Sequence, residues 1–441
     1  MTVTEKTLAP AMPASGAGAL DEVTGLLERR PFADHIGRVL DAAGGRMVAG
    51  LLIVEVDRMS QHFKVLGQAL ADLAMVELAQ RVLAACGPRD LVSRYGPTRF
   101  AVFLPDLQHA SKALFTASAV ASRIAEPVTI EGRQLFVGAK IGVAVAPEDG
   151  LDGETLIRNA AVALGEAKKS GTASYLHFQR SMREVLQHRL VLENELRQAI
   201  RDETFLVHYQ PKVSIADGRP VGGEALLRWR HPRRGVIGPG EFVPTAEDTG
   251  LIVPIGEWVL RQACGQIRAW MDAGLPPTQI AVNVSERQFR WGHLPALIDV
   301  LLQESGIPPH LLQLEITESV LPEDLEGALK QMRWIADRGV ALALDDFGTG
   351  YSSLSYLRDL PLDCLKIDRK FIKDMEDDLN TRHIVEAIVA MARAMGLKVV
   401  AEGIETEGQL DILRNLGVEE GQGYLFAQPL EVQYFQSFIG G

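Results

Sequence analysis

VALALDDFGTG, residues 340–350, joins three features that decide how the chain is read: an apolar run of strand length, two consecutive carboxylates, Asp345 and Asp346, where the run ends, and a turn carrying Gly348 and Gly350. An unbroken apolar run of this length fits a strand buried on both faces. The pattern recurs on either side. Glu224 falls in VGGEALLRW, Asn283 in IAVNVS, Glu315 in LQLEITES, Lys366 and Asp368 in LDCLKID, and Glu402 in LKVVAEGIE, with Gln422 in GQGYLF after the last. Longer helix-periodic segments separate the runs, the alternation expected of βα units. Parallel strands closed into a barrel bring their carboxyl-terminal ends to one face, so residues tens of positions apart become neighbours. This half is therefore expected to be an α/β domain, a TIM-like (β/α) barrel, with each of these residues at a strand end.

Carboxylates crowded in this way cannot all stay ionised unless positive charge is close, and hard divalent cations with oxygen ligands supply it. No His or Cys ends any of the runs, so Mg²⁺ or Mn²⁺ suits the donors better than zinc. Two such ions about 4 Å apart would favour in-line hydrolysis of a phosphoester. Lys366 lies two residues before Asp368 on an alternating strand, hence on the same face, where an ammonium can orient water or screen developing charge. Taken alone, an acidic residue at a strand end is usually a solvated cap or turn residue. Six separate strand ends would each need an unrelated reason.

A chain of 441 residues exceeds the usual size of one core, so two domains are expected. Its apolar share of 47% and charged share of 23% are those of a soluble globular protein. The formal charge of −12 argues against duplex nucleic acid as a partner. Cys86, Cys264 and Cys364 are too scattered for a disulfide framework or a thiolate metal site. No uncharged apolar run reaches about 18 residues, so no membrane span is expected. Residues 1–20 are rich in Ala, Gly and Pro and read as a flexible tail rather than a leader; the expected compartment is the cytoplasm.

From Asp21 onwards, helix and strand patterns alternate to residue 178 as an α+β unit. Gly96 and Pro97 mark a hairpin turn between the runs 91–94 and 100–104. Leu186, Leu190, Leu192, Leu196 and Ile200 then recur at near-helical spacing without glycine or proline. The expected boundaries are a tail at 1–20, a first domain at 21–178, a linker helix at 179–200 and the barrel at 201–441.

From residue 192 to the carboxyl terminus the chain resembles the EAL domains. The resemblance rests on YQP at 209–211, EALLRW at 224–229, FVPTAE at 242–247, NVS at 283–285, EITES at 315–319, DDFGTGYSSL at 345–354, LKID at 365–368, AEGIET at 401–406 and QGYLF at 422–426. It implies a cytoplasmic phosphodiesterase that opens cyclic di-GMP to linear pGpG. In that reading Glu224, Asn283, Glu315 and Asp345 hold one metal ion, Asp345 bridges to a second held by Asp346 and Glu402, and Lys366 orients the attacking water. Glu224, Lys366 and Glu402 are the expected catalytic residues. Gln210, Arg228, Asp368 and Gln422 are assigned to the substrate, and Glu318 and Glu405 to support of the site, Glu318 through the DDFGTG loop. A homodimer through the barrel is also implied. The alternative is a catalytically silent cyclic di-GMP receptor or regulatory scaffold. Trp229 is expected to be a packing residue.

Residues 21–178 resemble a GGDEF domain, the fold that in active form makes cyclic di-GMP from two GTP molecules, through DEVTGLLERRPF at 21–32, GVAVAPEDG at 142–150 and EAKKSG at 166–171. Where that family carries its signature, this chain reads Gly96, Pro97, Thr98, Arg99, Phe100. Proline removes an N–H and a cation replaces an acid, so a degenerate domain without cyclase activity is expected, although Glu55 and Asp57 persist on the first long strand. Phe63 and Lys64 stand at the guanine-contacting positions, which argues against GTP there even though Asp72 remains. Gly87 before Asp90 breaks the product-inhibition motif, and the adjacent Arg89 does not restore it.

Overall fold

The computed structural model describes residues 20–57, 59, 67–290, 292–318, 325–348 and 357–440. The expected tail other than Leu20, the guanine-position residues Phe63 and Lys64, and Gly350 lie outside them. By internal contacts the chain divides into two compact units, with the division between Arg189 and Leu190. It falls inside one uninterrupted helix, Arg180–Arg201.

In the first unit, β1 (Leu27–Glu28), β2 (Ala49–Asp57), β3 (Leu91–Gly96), β4 (Arg99–Leu104), β7 (Gly138–Ala146) and β8 (Tyr175–His177) form a sheet in the order β1-β3-β4-β2-β7-β8; β5 (Val128–Ile130) and β6 (Arg133–Leu135) form a separate hairpin. The central β2 is apolar at nearly every position because both faces are covered. Leu52, Val54 and Val56 enter one core, and Leu51 and Ile53 enter the other. The expected hairpin is β3–β4, and its turn puts Arg99 directly opposite Glu55 of β2.

β8 is tied to the loop after β7 by His177 Nε2 and Asp149 Oδ2, 2.8 Å apart; the same carboxylate oxygen accepts the Val145 N–H. Its hydrogen bond with Asp149 raises the His177 pKa against the lowering effect of burial. A histidine raised in the folded state stabilises most below its unfolded pKa and loses that contribution as pH rises through its folded value. The unfolding midpoint of this unit is thus expected to fall between pH 6 and pH 8 by more in the parent protein than in His177→Gln; equal pH dependence in urea titrations would refute the linkage.

The second unit is a closed eight-stranded barrel: β9 (Phe205–Ser214), β10 (Pro220–His231), β12 (Gln279–Val284), β13 (Leu312–Thr317), β14 (Ala341–Phe347), β15 (Cys364–Ile367), β16 (Lys398–Ala401) and β17 (Glu420–Gly421), with β17 returning to β9. A short strand, β11 (Gly235–Ile237), extends β10. The barrel is not wholly parallel, because β9 runs antiparallel to both β10 and β17. Outward-facing strand residues and the surrounding helices make one continuous apolar core. Trp229 is part of it, 2% exposed and packed against Phe205, Phe242 and His231.

Candidate active site

Most of the selected polar residues lie at or just beyond strand ends. Asn283 and Asp345 precede the last residues of β12 and β14, Lys366 is penultimate in β15, and Glu402 and Gln422 directly follow β16 and β17. Glu224 differs from the expectation. It sits inside the long strand β10, which continues to His231, because β10 extends beyond its pairing with β12 to pair with β9 and β11. Its side chain still joins the others, and Arg228, four residues on, shares its face of the strand.

Lys366 is the centre of the cluster. Fully buried, it places Nζ 2.5 Å from Glu402 Oε1, 2.6 Å from Glu315 Oε2, 3.2 Å from Asp345 Oδ1 and 3.6 Å from Glu224 Oε2. Burial alone would lower the lysine pKa, but Glu224, Glu315, Glu402 and Asp345 drive it well above its ordinary value. Lys366 is therefore a fixed cation and hydrogen-bond donor. Burial drives Glu402 well above the carboxylate range although Lys366 opposes it; Asp345, Glu224 and Glu315 push the same way as burial. Glu224 is raised by burial and by Glu315. Burial also acts to raise Glu315, yet Lys212 and Lys366 together bring it down to about 2.

The two aspartates at the end of β14 would face opposite sides of a regular strand. They face the same site, because Asp346 takes a left-handed backbone, φ +56°, and the pairing with β15 shifts register between Leu344 and Phe347. Asp is among the few non-glycine residues that tolerate this conformation. One oxygen each of Asp345, Asp346 and Glu402 lies within 4.8 Å of the others. Burial, then Asp345, then a hydrogen bond with Asp368 raise the Asp346 pKa to about 6. Asp368 also caps the helix Arg369–Asp374 by accepting the Lys370 N–H at 2.7 Å.

Asn283 Nδ2 donates to Glu224 Oε1 at 2.6 Å, and Gln422 Nε2 donates to Glu224 Oε2 at 2.6 Å and to Glu402 Oε1 at 3.2 Å. Gln422 thus joins two carboxylates, a role the sequence reading did not give it. Its Oε1 is buried with no hydrogen-bond partner among the described residues. Hard oxygen donors, a three-carboxylate cluster and an orphaned amide oxygen suit a divalent cation. Gln210 faces Glu224 across β9–β10 and donates to the Ala427 carbonyl at 3.3 Å, while Arg228 donates to the Leu227 carbonyl at 2.8 Å. A cavity of about 530 Å³ opens beside Asn283, lined also by Leu226, Pro239, Glu247 and Thr317. Glu405 is held through its N–H by Gln409 Oε1 at 2.7 Å. Glu318 Oε2 is buried without a partner among the described residues.

Lys212, which none of the strand-end patterns in the sequence singles out, is 3% exposed and lies on β9 beneath the site. The available signal was its spacing of two from Gln210, which puts both on one face of the strand.

In the first unit, Glu55 receives Arg99 Nε at 2.8 Å and Lys168 Nζ at 2.9 Å. The hairpin that would have to supply further carboxylates for a cation supplies a cation itself. Glu55 and Arg99 border a cavity of about 930 Å³ that Arg29, Tyr95 and Arg158 also line.

Comparison with known proteins places residues 193–429 on the model of the EAL domain and residues 18–174 on that of the diguanylate cyclase, GGDEF domain. The chain is 40% identical over 416 residues to the bifunctional diguanylate cyclase/cyclic di-GMP phosphodiesterase MucR of Pseudomonas aeruginosa, covering 94% of this chain and 60% of MucR. It is 33% identical over 417 residues to the cyclic di-GMP phosphodiesterase PdeR of Escherichia coli, covering 94% and 62%. A further cyclic di-GMP phosphodiesterase of P. aeruginosa is 32% identical, with 95% and 71% covered. The chain spans about half to three-fifths of the length of the first curated relatives it matches. Among solved structures, the MucR phosphodiesterase in complex with cyclic di-GMP matches at 46% identity and a TM-score of 0.54, over 55% of this chain and 99% of that one.

Proposed function

The chain belongs to the EAL-domain family, with a GGDEF-family domain in tandem before its barrel, and from that membership we propose that it is a phosphodiesterase hydrolysing cyclic di-GMP to linear pGpG. One observation carries the reading: four carboxylates from four different strands and their following loops converge within 3.6 Å of a single buried ammonium, Lys366. A receptor that only binds its ligand has no chemical need for that set.

Glu224, Asn283, Glu315 and Asp345 would hold one Mg²⁺ or Mn²⁺ ion, with Asp345 shared with a second held by Asp346 and Glu402. Bound there, such ions supply Lewis acidity and lower the pKa of water. The protein's own groups do the rest. Lys366, kept protonated, donates hydrogen bonds toward the reacting centre and offsets charge that builds on phosphorus. Gln422 fixes Glu224 and Glu402 relative to one another. Arg228, and Gln210 buried beside Glu224, would contact the dinucleotide, and the cavity beside Asn283 suits a base. Asp368 completes the substrate set while holding Asp346, and Glu405 and Glu318 brace the surrounding loops. Water attacks one phosphorus and the P–O3′ bond breaks, leaving a 3′-hydroxyl and a 5′-phosphate.

The proposed domains are 21–178 and 201–441, with 179–200 as the linking helix. The first makes no cyclic di-GMP, because Arg99 and Lys168 already neutralise Glu55 and the altered hairpin brings no acid. It is assigned to regulation, and GTP is the nucleotide to test there. The cytoplasm is the proposed compartment; no helix among the described residues is long and apolar enough to cross a membrane. A homodimer through the barrel belongs to the same reading, and a monomeric solution mass at micromolar concentration with full activity would remove it.

The deciding assay is chromatographic: purified protein with cyclic di-GMP and Mn²⁺, with and without GTP, beside a chelator-treated sample and Glu224→Ala. The expected result is pGpG from the untreated parent protein alone. Cyclic di-GMP that binds but stays intact under every condition would make the protein a receptor.

A further inference from the structure

Lys212 has no part in the reading above, yet its position is unusual for a charged side chain. Barrels of this kind fill their interior with layers of mostly branched apolar residues. Lys212 faces that interior from β9, opposite Gly222, which places it one layer below Gln210 and its partner Glu224. It is 3% exposed. A cation buried this deeply persists only with compensating partners. Nζ donates to Gln313 Oε1 at 2.8 Å and Glu315 Oε1 at 3.0 Å. The other oxygen of the same carboxylate, Glu315 Oε2, takes Lys366 Nζ at 2.6 Å. Gln313 and Glu315 stand two apart on β13, so Lys212 bridges the floor layer to the reactive layer.

We propose that Lys212 is a positioning residue for the hydrolysis: it occupies Glu315 Oε1 from beneath, so that Oε2 alone is presented to Lys366 and to the metal-binding set. The proposal rests on the phosphodiesterase reading for its effect on rate, but not for the coupling between Lys212 and Glu315. Without Lys212 the carboxylate can rotate about its terminal bond, and Lys366 keeps one fixed partner fewer among the four carboxylates around its head group. Gln313 anchors the Lys212 ammonium by accepting a second hydrogen bond from it at 2.8 Å.

The test uses the full chain and the variants Lys212→Met, Glu315→Gln and their combination. Lys212→Met is expected to lower kcat about 10- to 100-fold while KM for cyclic di-GMP stays within about threefold. In the Glu315→Gln background, adding Lys212→Met is expected to lower kcat by less than about threefold, as for residues acting through one another. An equal loss in both backgrounds, or a loss confined to KM, would overturn the proposal. Thermal unfolding in chelator is read independently of turnover. Lys212→Met should lower the Tm and the double variant should recover part of the fall, because the uncompensated carboxylate is gone. No recovery would overturn the coupling even if cyclic di-GMP proved not to be the substrate, whereas recovery without any parent activity would sink only the functional reading. Should Lys212→Met fail to fold, Gln313→Met replaces it; a kcat fall of about threefold or more at constant KM is expected, and an unchanged kcat overturns the proposal.

Discussion

If the chain is the phosphodiesterase proposed above, Lys366→Met is expected to leave at most about one-hundredth to one-thousandth of the parent rate, the usual consequence of losing a preorganised electrostatic group. Methionine keeps the length and bulk of the side chain, so the loss isolates the charge. In the metal-free protein the same change removes the ammonium shared by Glu224, Glu315, Asp345 and Glu402. Breaking a buried ion pair by deleting one partner costs about 3–5 kcal/mol. The cost has a definite pH sign. Glu224 and Glu402 already bind protons more tightly in the folded state than when exposed. Carboxyls raised in this way stabilise the fold at low pH and lose that contribution as pH rises through their folded values. Metal-free Lys366→Met should therefore recover stability on acidification toward the ordinary carboxylate range. Calorimetry across pH in chelator checks this, and a variant that unfolds like the parent at every pH would show that Lys366 is not the cluster's counter-charge.

Gly423→Ala is expected to be damaging without touching a charged group. A Cβ at this position would lie 2.1 Å from the Ile404 carbonyl oxygen, 2.3 Å from its nitrogen and 2.7 Å from its carbonyl carbon. These are backbone atoms and cannot turn aside as a side chain would. The two loops are stitched together by Ile404 N–H to the Gln422 carbonyl at 3.1 Å and Leu425 N–H to the Ile404 carbonyl at 3.0 Å. One loop begins with Glu402 and the other with Gln422, so the glycine sets the spacing of two site residues. Overpacking generally costs about 1–3 kcal/mol and occasionally more, and a backbone collision belongs at the upper end. Separating the loops should also break the Gln422–Glu402 contact and lower kcat about a hundredfold, as displacements of about 1 Å do. A variant with the parent's denaturation midpoint and rate would show that the loops yield without cost.

The first unit illustrates a substitution with a physical meaning beyond loss. Arg99 is opposite Glu55 in the sheet, and Lys168 reaches the same carboxylate from the helix Gly153–Lys169. Burial would raise the Glu55 pKa, but the hydrogen bonds and charges of Lys168 and Arg99 lower it. The replaced hairpin thus satisfies internally the carboxylate retained on β2, and the sheet keeps both apolar faces.

The sequence by itself determined the class of each half and most of the site. Hydrophobic periodicity is a local property, so the apolar runs, the helix over Arg180–Arg201 and the hairpin at Gly96 and Pro97 were legible in it. The repeated placement of Glu315, Asp345, Lys366, Glu402 and Gln422 at or beyond such runs pointed to one face of a barrel before any contact was known. Only the tertiary structure decided how they meet. Glu224 lies within its strand rather than at the end, because β10 extends to pair with β9 and β11. Asp345 and Asp346 share a site because the backbone at Asp346 leaves the extended region, and a neighbouring strand with shifted register accommodates that departure. Lys212 became a site neighbour because β9 runs against its partners, carrying a residue that follows Gln210 downward beneath Glu315. In each case the side chain's direction depends on pairing with strands distant in sequence, and that information is absent from any local window.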